Sequence, residues 1–205
     1  MNTANPPLSN AARAGIFLIL GLVMLATRIN HFGALPDASW AVFFIAGFYL
    51  RGSARWAFPL LMALAVLIDF FVITQQGMSF WNHYCVSAAY WFLVPSYGAV
   101  WLGGALLRSR YTGLHVRELV LLVASVAVAT SVCYLLSNGS FYWLSANVPV
   151  RSLAGWMENL GDWYVPYLRT TLMYVGAATL LHVIATVAAR SLSLQAGRAT
   201  RHSSR

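Results

Sequence analysis

The stretch 74–91, TQQGMSFWNHYCVSAAYW, decides how the chain divides, because it is a polar and aromatic interruption between two strongly apolar segments. It contains His83 and Cys85, two of the few side chains in this sequence that bind soft or borderline metal centres. The residues that follow, from Cys85 through Trp101, predict a helix. The stretch is therefore the first candidate for a functional site, and the rest of the chain is interpreted around it.

The composition predicts a membrane protein. Of the 205 residues, 60% are hydrophobic and only 9% are charged, whereas a soluble domain is roughly 45–50% apolar. Such a chain would lack polar surface in water, but several apolar helices can pack in a bilayer. The net charge of +8 comes entirely from arginine. These arginines lie in short loops and tails between apolar runs, so they indicate membrane topology, and we expect the lipid bilayer rather than nucleic acid as a partner.

The pattern of apolar runs predicts one all-α integral membrane domain over residues 1–205, with a flexible N-terminus at 1–12 and a flexible tail at 191–205. The segment 137–165 is too polar to span and too aromatic for a disordered linker. We therefore predict an ordered outer loop there, with a short interfacial helix at 150–160. Six transmembrane helices are predicted, at about 14–30, 38–50, 56–74, 85–107, 116–136 and 166–189.

The distribution of arginine predicts the orientation. With six spans, ten arginines fall on one side, whereas Arg28, Arg151 and Arg169 fall on or near the other. The positive-inside rule then places both termini in the cytoplasm. The loops at 30–38, 75–84 and 137–165 would face outward together, and they hold most of the residues able to do chemistry.

Cys85, His31 and His83 are the candidate metal ligands. Cys85 is predicted in the first turn of helix 4, where the helix dipole favours a thiolate and hence metal contact; the alternative is a small apolar packing residue. The two histidines would lie on outer loops, either as ligands or simply hydrogen-bonded to backbone, and the spacing matches no zinc signature. Cys133 is interpreted as a packing residue, and His182 as a satisfied interior polar group.

Asp69 is the only carboxylate inside an apolar run. Placing it at mid-membrane would cost about 2.5–3.5 kcal/mol on insertion scales. It can pair with Arg28 or Arg169, or it can contact a ligand, and the sequence leaves these alternatives open. Most tyrosines and tryptophans are interpreted as an interfacial belt, but Tyr90 lies close to Cys85 and is a candidate ligand contact.

Six short spans, cytoplasmic termini and a ligand face built from outer loops resemble the substrate-binding S-components of energy-coupling-factor vitamin transporters. Three blocks are similar to the solitary cobalamin transporter family known as BtuM. They are RINHFGALPDASWAVFFIAGFYLR (28–51), the helix with Asp69, and HYCVSAAYW (83–91).

The resemblance implies uptake of cobalamin (vitamin B12) across the bacterial inner membrane, with the corrinoid bound at the outer face. Carried over onto this sequence, it implies that His31 and Cys85 coordinate the cobalt of cobalamin. It also implies that Asp69, Tyr90 and Arg151 bind the rest of the ligand, Arg169 being the alternative arginine. A thiolate on cobalt would also assist removal of a cyanide ligand, which would give Cys85 a catalytic role.

Other functions stay open from the sequence. A small membrane haem-b or quinone redox protein would use His83, His182 and Cys85, and an S-component for another vitamin or a metal ion, or a purely structural subunit, is also compatible. The sequence has no phosphate-binding loop, so no ATP hydrolysis is expected of this chain. Helix 1 has only a weak small-residue face, which favours a solitary transporter without a dedicated energising module and leaves a shared one open.

Overall fold

The computed structural model describes residues 8–29, 35–83 and 86–203. All regular secondary structure in these ranges is helical. Three short 3-10 helices lie at Arg51–Ser53, Phe80–Asn82 and Ala88–Phe92. The α-helices are α1 (Asn10–Arg28), α2 (Ser39–Leu50), α3 (Ala54–Gln75), α4 (Leu93–Arg110), α5 (Val116–Leu144) and α6 (Leu153–Ser203).

Five helical stretches among the described residues are long and apolar enough to cross a membrane. Many of their outward-facing side chains are large and apolar, for example Leu18 on α1, Leu106 on α4 and Leu181 on α6, each at least 60% exposed. A lipid bilayer solvates such a surface, whereas water does not. The stretches are Asn10–Arg28, Ser39–Gln75, Ala88–Arg110, Val116–Leu144 and Leu153–Ser193.

The stretch Ser39–Gln75 is a hairpin of α2 and α3. Arg28 hydrogen-bonds both to Ser39, at the start of α2, and to Asp69, near the end of α3. In one straight helix those two residues would be about 45 Å apart, so the chain must reverse direction between them. The reversal falls at the 3-10 turn Arg51–Ser53.

The helix α2 is the centre of the bundle. Nine of its twelve residues are buried, and it packs against α1, α3, α4 and α6. Its closest neighbour is α4, because two glycines let the backbones touch. A Cβ atom on Gly47 would overlap the carbonyl oxygen of Trp101, and one on Gly104 would overlap the carbonyl oxygen of Phe44. Small residues at a helix crossing allow this close approach.

The contacts of α2 also fix the directions of α4 and α6. Phe43 stacks on Tyr97, and further along both helices Phe48 lies under Arg108, so α2 and α4 run in the same direction. Trp40 stacks on Tyr167 near the start of α2, and Tyr49 meets His182 near its end, so α6 is also parallel to α2. The bundle therefore has an Asp69 end, at the start of α2, and a His182 end, at the end of α2.

The start of α4 differs from the sequence prediction. The regular helix begins at Leu93, not near residue 85, and the 3-10 helix Ala88–Phe92 precedes it. The reason is local: the Ser87 side chain accepts a hydrogen bond from the Ala89 N–H, and its carbonyl accepts one from the Tyr90 N–H. These bonds start a tight turn after the polar stretch. The helix-dipole argument for an acidic Cys85 thiol therefore has no support from the start of α4.

The long outer loop at 137–165 is also corrected, because both neighbouring helices extend into it. The helix α5 continues to Leu144, and α6 begins at Leu153, so only residues 145–152 connect them. Ser152 caps α6 by accepting a hydrogen bond from the Gly155 N–H. The Asn138 amide then binds the side chain of Asn159 at 2.6 Å, which holds the first turns of α6 against α5. The helix expected at 150–160 is thus the beginning of α6.

Both chain ends are more helical than predicted. The helix α1 starts at Asn10, inside the expected flexible segment, because Ser9 caps it through the Ala12 N–H. The helix α6 runs on to Ser203, through most of the expected flexible tail 191–205. The tail contains Leu, Ala, Gln and Arg, all good helix formers, and no proline.

Candidate functional site

A charged network lies at the Asp69 end, and its centre is a bidentate ion pair. Arg28 Nε donates to Asp69 Oδ1 at 2.7 Å, and Arg28 Nη2 donates to Asp69 Oδ2 at 2.7 Å. The two side chains are only 9% and 18% exposed. Of the two arginine partners left open by the sequence, Arg28 is therefore the one that pairs with Asp69, and the pair offsets the cost of burying the Asp69 carboxylate.

The third nitrogen of Arg28 connects α1 to the start of α2 and to α4. Arg28 Nη1 donates to Asp37 Oδ2 at 3.0 Å, to Ser39 Oγ at 3.1 Å and to Tyr97 Oη at 2.9 Å. Asp37 also caps α2, because its Oδ1 accepts a hydrogen bond from the Ser39 N–H at 2.9 Å. One arginine thus holds four helices together.

Tyr90 joins the same network from the 3-10 helix before α4. Its hydroxyl donates to Asp69 Oδ2 at 2.8 Å. Two of the three ligand-binding residues expected from the sequence, Asp69 and Tyr90, are therefore in direct contact. One arginine between two aspartates gives this group a formal net charge of −1, with both carboxylates partly accessible at 20% and 18%.

The remaining expected site residues have different outcomes. His31 and Cys85 lie outside the described residues. Arg151 is exposed, and its Nη2 donates to the carbonyl of Ser145 at 2.8 Å, which fixes the short connection between α5 and α6. Within the described part of the chain, the hydrogen bonds of Asp69 and Tyr90 do not involve Arg151. Among residues 8–29, 35–83 and 86–203, no group of three His, Cys, Asp or Glu side chains is arranged to hold a metal.

The interpretations of Cys133 and His182 as interior residues are confirmed. Cys133 is fully buried in α5. His182 Nδ1 lies 2.7 Å from the Tyr49 hydroxyl, and His182 Nε2 lies 2.9 Å from the Tyr111 hydroxyl. A neutral imidazole has one donor and one acceptor nitrogen, so one tyrosine donates to the ring and the other accepts from it. Burial raises the pKa of the Tyr111 hydroxyl, so this group stays protonated at neutral pH.

The His182 end also contains a cavity that the sequence analysis missed. It has a volume of about 290 Å³ and lies between α2, α5, α6 and the connection from α4 to α5. Glu118 lines it, is 6% exposed, and has one carboxylate oxygen without a partner among the described residues. The only sequence signal was a glutamate in the first turn of an apolar helix, where the helix dipole alone would account for it. The aromatic and histidine residues that line the cavity are Phe44, Phe48, Tyr49, Tyr111, His115 and His182.

Neither the family models of known proteins nor the curated proteins compared with this chain match it.

Proposed function

We propose that this chain is a multi-pass protein of the bacterial inner membrane that takes up cobalamin, binding the corrinoid at the Asp69 end. In this proposal α2 and α3 are separate passes, which gives six passes with both termini in the cytoplasm. The Asp69 end faces outward and the His182 end faces the cytoplasm. The arginine distribution of the sequence supports this orientation.

One observation carries the proposal: the three sequence blocks that resemble the cobalamin transporter family meet in one hydrogen-bonded network. Arg28 belongs to the first block, Asp69 to the second and Tyr90 to the third. They are 41 and 21 residues apart in sequence, yet their side chains are 2.7–2.8 Å apart. Convergence of blocks so distant in sequence is what a shared ligand site requires.

The charge of the network suits the chemistry of a corrinoid. Cobalamin carries several primary amides around its ring, and amide N–H groups are donors to carboxylates. Asp37 and Asp69 supply such acceptors, and both remain partly accessible. Tyr90 sits beside Asp69, is partly exposed and supplies aromatic surface for the ring edge, whereas Tyr97 is buried and supports the network from inside the bundle.

In the proposal, His31 and Cys85 coordinate cobalt from opposite faces of the ring. The corrin already supplies four equatorial nitrogens, so the protein need offer only one axial donor on each side. His31 follows Arg28 by three residues and Cys85 precedes Tyr90 by five. Fully extended chain covers at most about 3.6 Å per residue, so His31 and Cys85 can be no further along the backbone than about 11 Å from Arg28 and about 18 Å from Tyr90.

Cys85 would also promote loss of cyanide from cyanocobalamin. The thiolate forms a sulfur–cobalt bond, the cobalt–carbon bond breaks, and cyanide leaves with its electron pair. Cobalt stays in the same oxidation state, so no reductant is needed. A Cys85→Ser variant should lose this reaction, and an unchanged rate of cyanide release in it would refute this step.

The decisive experiment is an absorption spectrum of protein purified from cells fed cobalamin. Wild-type protein and the matched control Cys133→Ala should show corrinoid bands at the same positions. Cys85→Ala should bind weakly or show shifted bands, because one axial ligand is replaced. Absence of corrinoid bands in the wild type rejects the proposal.

The same spectrum tests the main alternative, a haem-b protein, which would show a Soret band. For His182 to ligate haem it would have to release Tyr49 or Tyr111, since both ring nitrogens are engaged. A panel of other vitamins distinguishes an S-component of different specificity. A purely structural subunit would bind none of these small molecules.

A further inference from the structure

The cavity at the His182 end lies between α5 and α6, with further lining from α2 and from the connection between α4 and α5. At the Asp69 end the two helices are held together by hydrogen bonds from Ser131 to Tyr164 and from Asn138 to Asn159. At the other end, Leu119 and Leu122 of α5 line one side of the space, and Ala178 of α6 lines the other. The result is a slot between two helices whose outer faces are apolar.

The lining of the slot is apolar along most of its surface, and its polar groups lie towards the connection from α4 to α5. The apolar residues include Ile45, Leu107, Leu122 and Val175. A volume of about 290 Å³ is at the lower limit for small-molecule sites. It suits an acyl chain or a small amphiphile, and it is much too small for a corrinoid.

Glu118 provides the polar specificity. Thr112 Oγ1 donates to Glu118 Oε1 at 2.5 Å, but Oε2 has no hydrogen-bond partner among the described residues although the side chain is more than nine-tenths buried. A buried acceptor without a partner is unfavourable, and a donor from a bound molecule would satisfy it. The missing partner is therefore an N–H or O–H donor, and a cation would bind most strongly.

Arg108 provides a complementary positive charge beside the slot. Its guanidinium lies 5.3 Å from the ring centre of Phe48 and 5.7 Å from that of Tyr111, and both rings line the cavity. Within the described part of the chain, Arg108 forms no ion pair with a carboxylate. Arg108 is therefore available to bind an anionic group of the same molecule whose cationic group binds Glu118.

We infer that the slot is a binding site for one phospholipid with a primary ammonium head group, as in phosphatidylethanolamine. The ammonium donates to Glu118 Oε2, the phosphate lies against Arg108, and part of one acyl chain fills the space between α5 and α6. A zwitterionic lipid carries a cation, an anion and an apolar chain, and these three groups are complemented by Glu118, by Arg108 and by the apolar lining of the slot. This site is separate from the proposed cobalamin site and does not depend on it.

The test uses the full-length wild-type protein and a series of head groups. Native mass spectrometry counts lipids that stay bound after delipidation and re-addition of phosphatidylethanolamine, its monomethyl and dimethyl derivatives, or phosphatidylcholine. The first three keep an N–H donor on a cation, whereas the choline head group has the same charge and no N–H. We expect one retained lipid per chain, with phosphatidylethanolamine preferred over phosphatidylcholine by about tenfold.

Two variants and one control assign that preference to the slot. Glu118→Gln should retain phosphatidylethanolamine and phosphatidylcholine about equally, because the carboxylate that binds the ammonium is lost. Ala178→Phe should reduce retention of every lipid, because it fills the apolar part of the slot. Glu158→Gln should behave as wild type, since Glu158 is exposed near the start of α6, at the opposite end of the bundle.

Three results would overturn the inference: equal retention of phosphatidylethanolamine and phosphatidylcholine by the wild type, retention of no lipid, or an unchanged preference in Glu118→Gln. The head-group series needs no mutation, so a variant that fails to fold does not prevent a decision. Cobalamin binding is measured separately. A failed lipid test therefore does not contradict the proposed cobalamin uptake, and a failed cobalamin test does not contradict the lipid site.

Discussion

The carboxylate of Asp69 meets the guanidinium of Arg28 side-on, with two parallel N–O distances of 2.7 Å. Both groups lie between helices, where a buried charge without a partner would be strongly unfavourable, and each neutralises the other. The same arginine reaches Asp37 and Tyr97. The pair is therefore both the main polar contact of the bundle and the centre of the candidate site.

Removing the arginine should destabilise the protein strongly. Arg28→Ala leaves the two aspartates that it binds without their cation, so we expect the free energy of unfolding to fall by about 3–5 kcal/mol. The measurement is equilibrium unfolding in detergent micelles. Arg151→Ala is the matched control: Arg151 is exposed and donates a hydrogen bond to the Ser145 carbonyl, so its loss should change the free energy of unfolding by no more than about 0.5 kcal/mol. Similar losses in the two variants would contradict the structural role of the pair.

Tyr90→Phe tests a single hydrogen bond to a charged acceptor. The variant removes the donor to Asp69 Oδ2, and we expect a loss of about 1.5–3 kcal/mol. Tyr174→Phe is the control, because Tyr174 donates to the neutral carbonyl of Pro36 and should cost about 0.5–1.5 kcal/mol.

The same variant separates a structural role of Tyr90 from a ligand-binding role. Cobalamin affinity is measured by absorption titration in parallel with stability. If Tyr90 contacts the ligand, Tyr90→Phe weakens binding, whereas Tyr174→Phe does not. A stability loss with unchanged cobalamin affinity would leave Tyr90 as a structural residue only.

The close contact between α2 and α4 predicts that alanine is unfavourable at one glycine of α4 and tolerated at another. Gly104→Ala would push a methyl group into the Phe44 carbonyl, and overpacking of this kind costs about 1–3 kcal/mol or more. Gly98→Ala meets nothing within 4 Å, so it should be neutral or gain up to about 1 kcal/mol from helix propensity. Thermal unfolding of both variants in one detergent gives the comparison. Equal behaviour would show that the helices are not in close contact at Gly104.

The sequence was sufficient for the helical architecture but not for where several helices end. Apolar runs located each α-helix of the part that the structure describes, and α2 and α3 begin and end within two residues of the expected bounds. The errors fall where short-range polar contacts compete with hydropathy. Ser87 starts a 3-10 turn before α4, and Ser152 begins α6 within a segment polar enough to suggest a loop.

The candidate site was predicted in part. Asp69 was identified because a carboxylate in an apolar run must find a partner, and Arg28 was one of the two partners considered. Tyr97 was not distinguished from the interfacial tyrosines, since its role depends on the direction of α4 relative to α2. The cavity beside Glu118 is lined by residues of α2, α4, α5 and α6, and no local pattern in the sequence encodes how these helices pack together.

The contact of His182 with two tyrosines predicts that the stability losses of His182→Phe and Tyr111→Phe are not additive. His182→Phe removes both hydrogen bonds and leaves the Tyr49 and Tyr111 hydroxyls without this partner, so the free energy of unfolding should fall by about 1–3 kcal/mol. The test is a double-mutant cycle with Tyr111→Phe. Because the two residues share one bond, the double variant should lose less than the sum of the single variants. Strict additivity would mean that the bond does not form.

The orientation of the bundle can be tested with the two native cysteines. Cys133 is fully buried in α5, so a membrane-impermeant maleimide should not reach it in intact cells. If the Asp69 end faces outward, Cys85 in a Cys133→Ala background should be labelled from outside the inner membrane, and cobalamin should protect it because cobalt occupies the thiolate. A cysteine introduced by Ser109→Cys, with both native cysteines replaced by alanine, lies at the exposed His182 end. It should react only after permeabilisation. Labelling in the reverse order would place the candidate site on the cytoplasmic side and rule out uptake from that end.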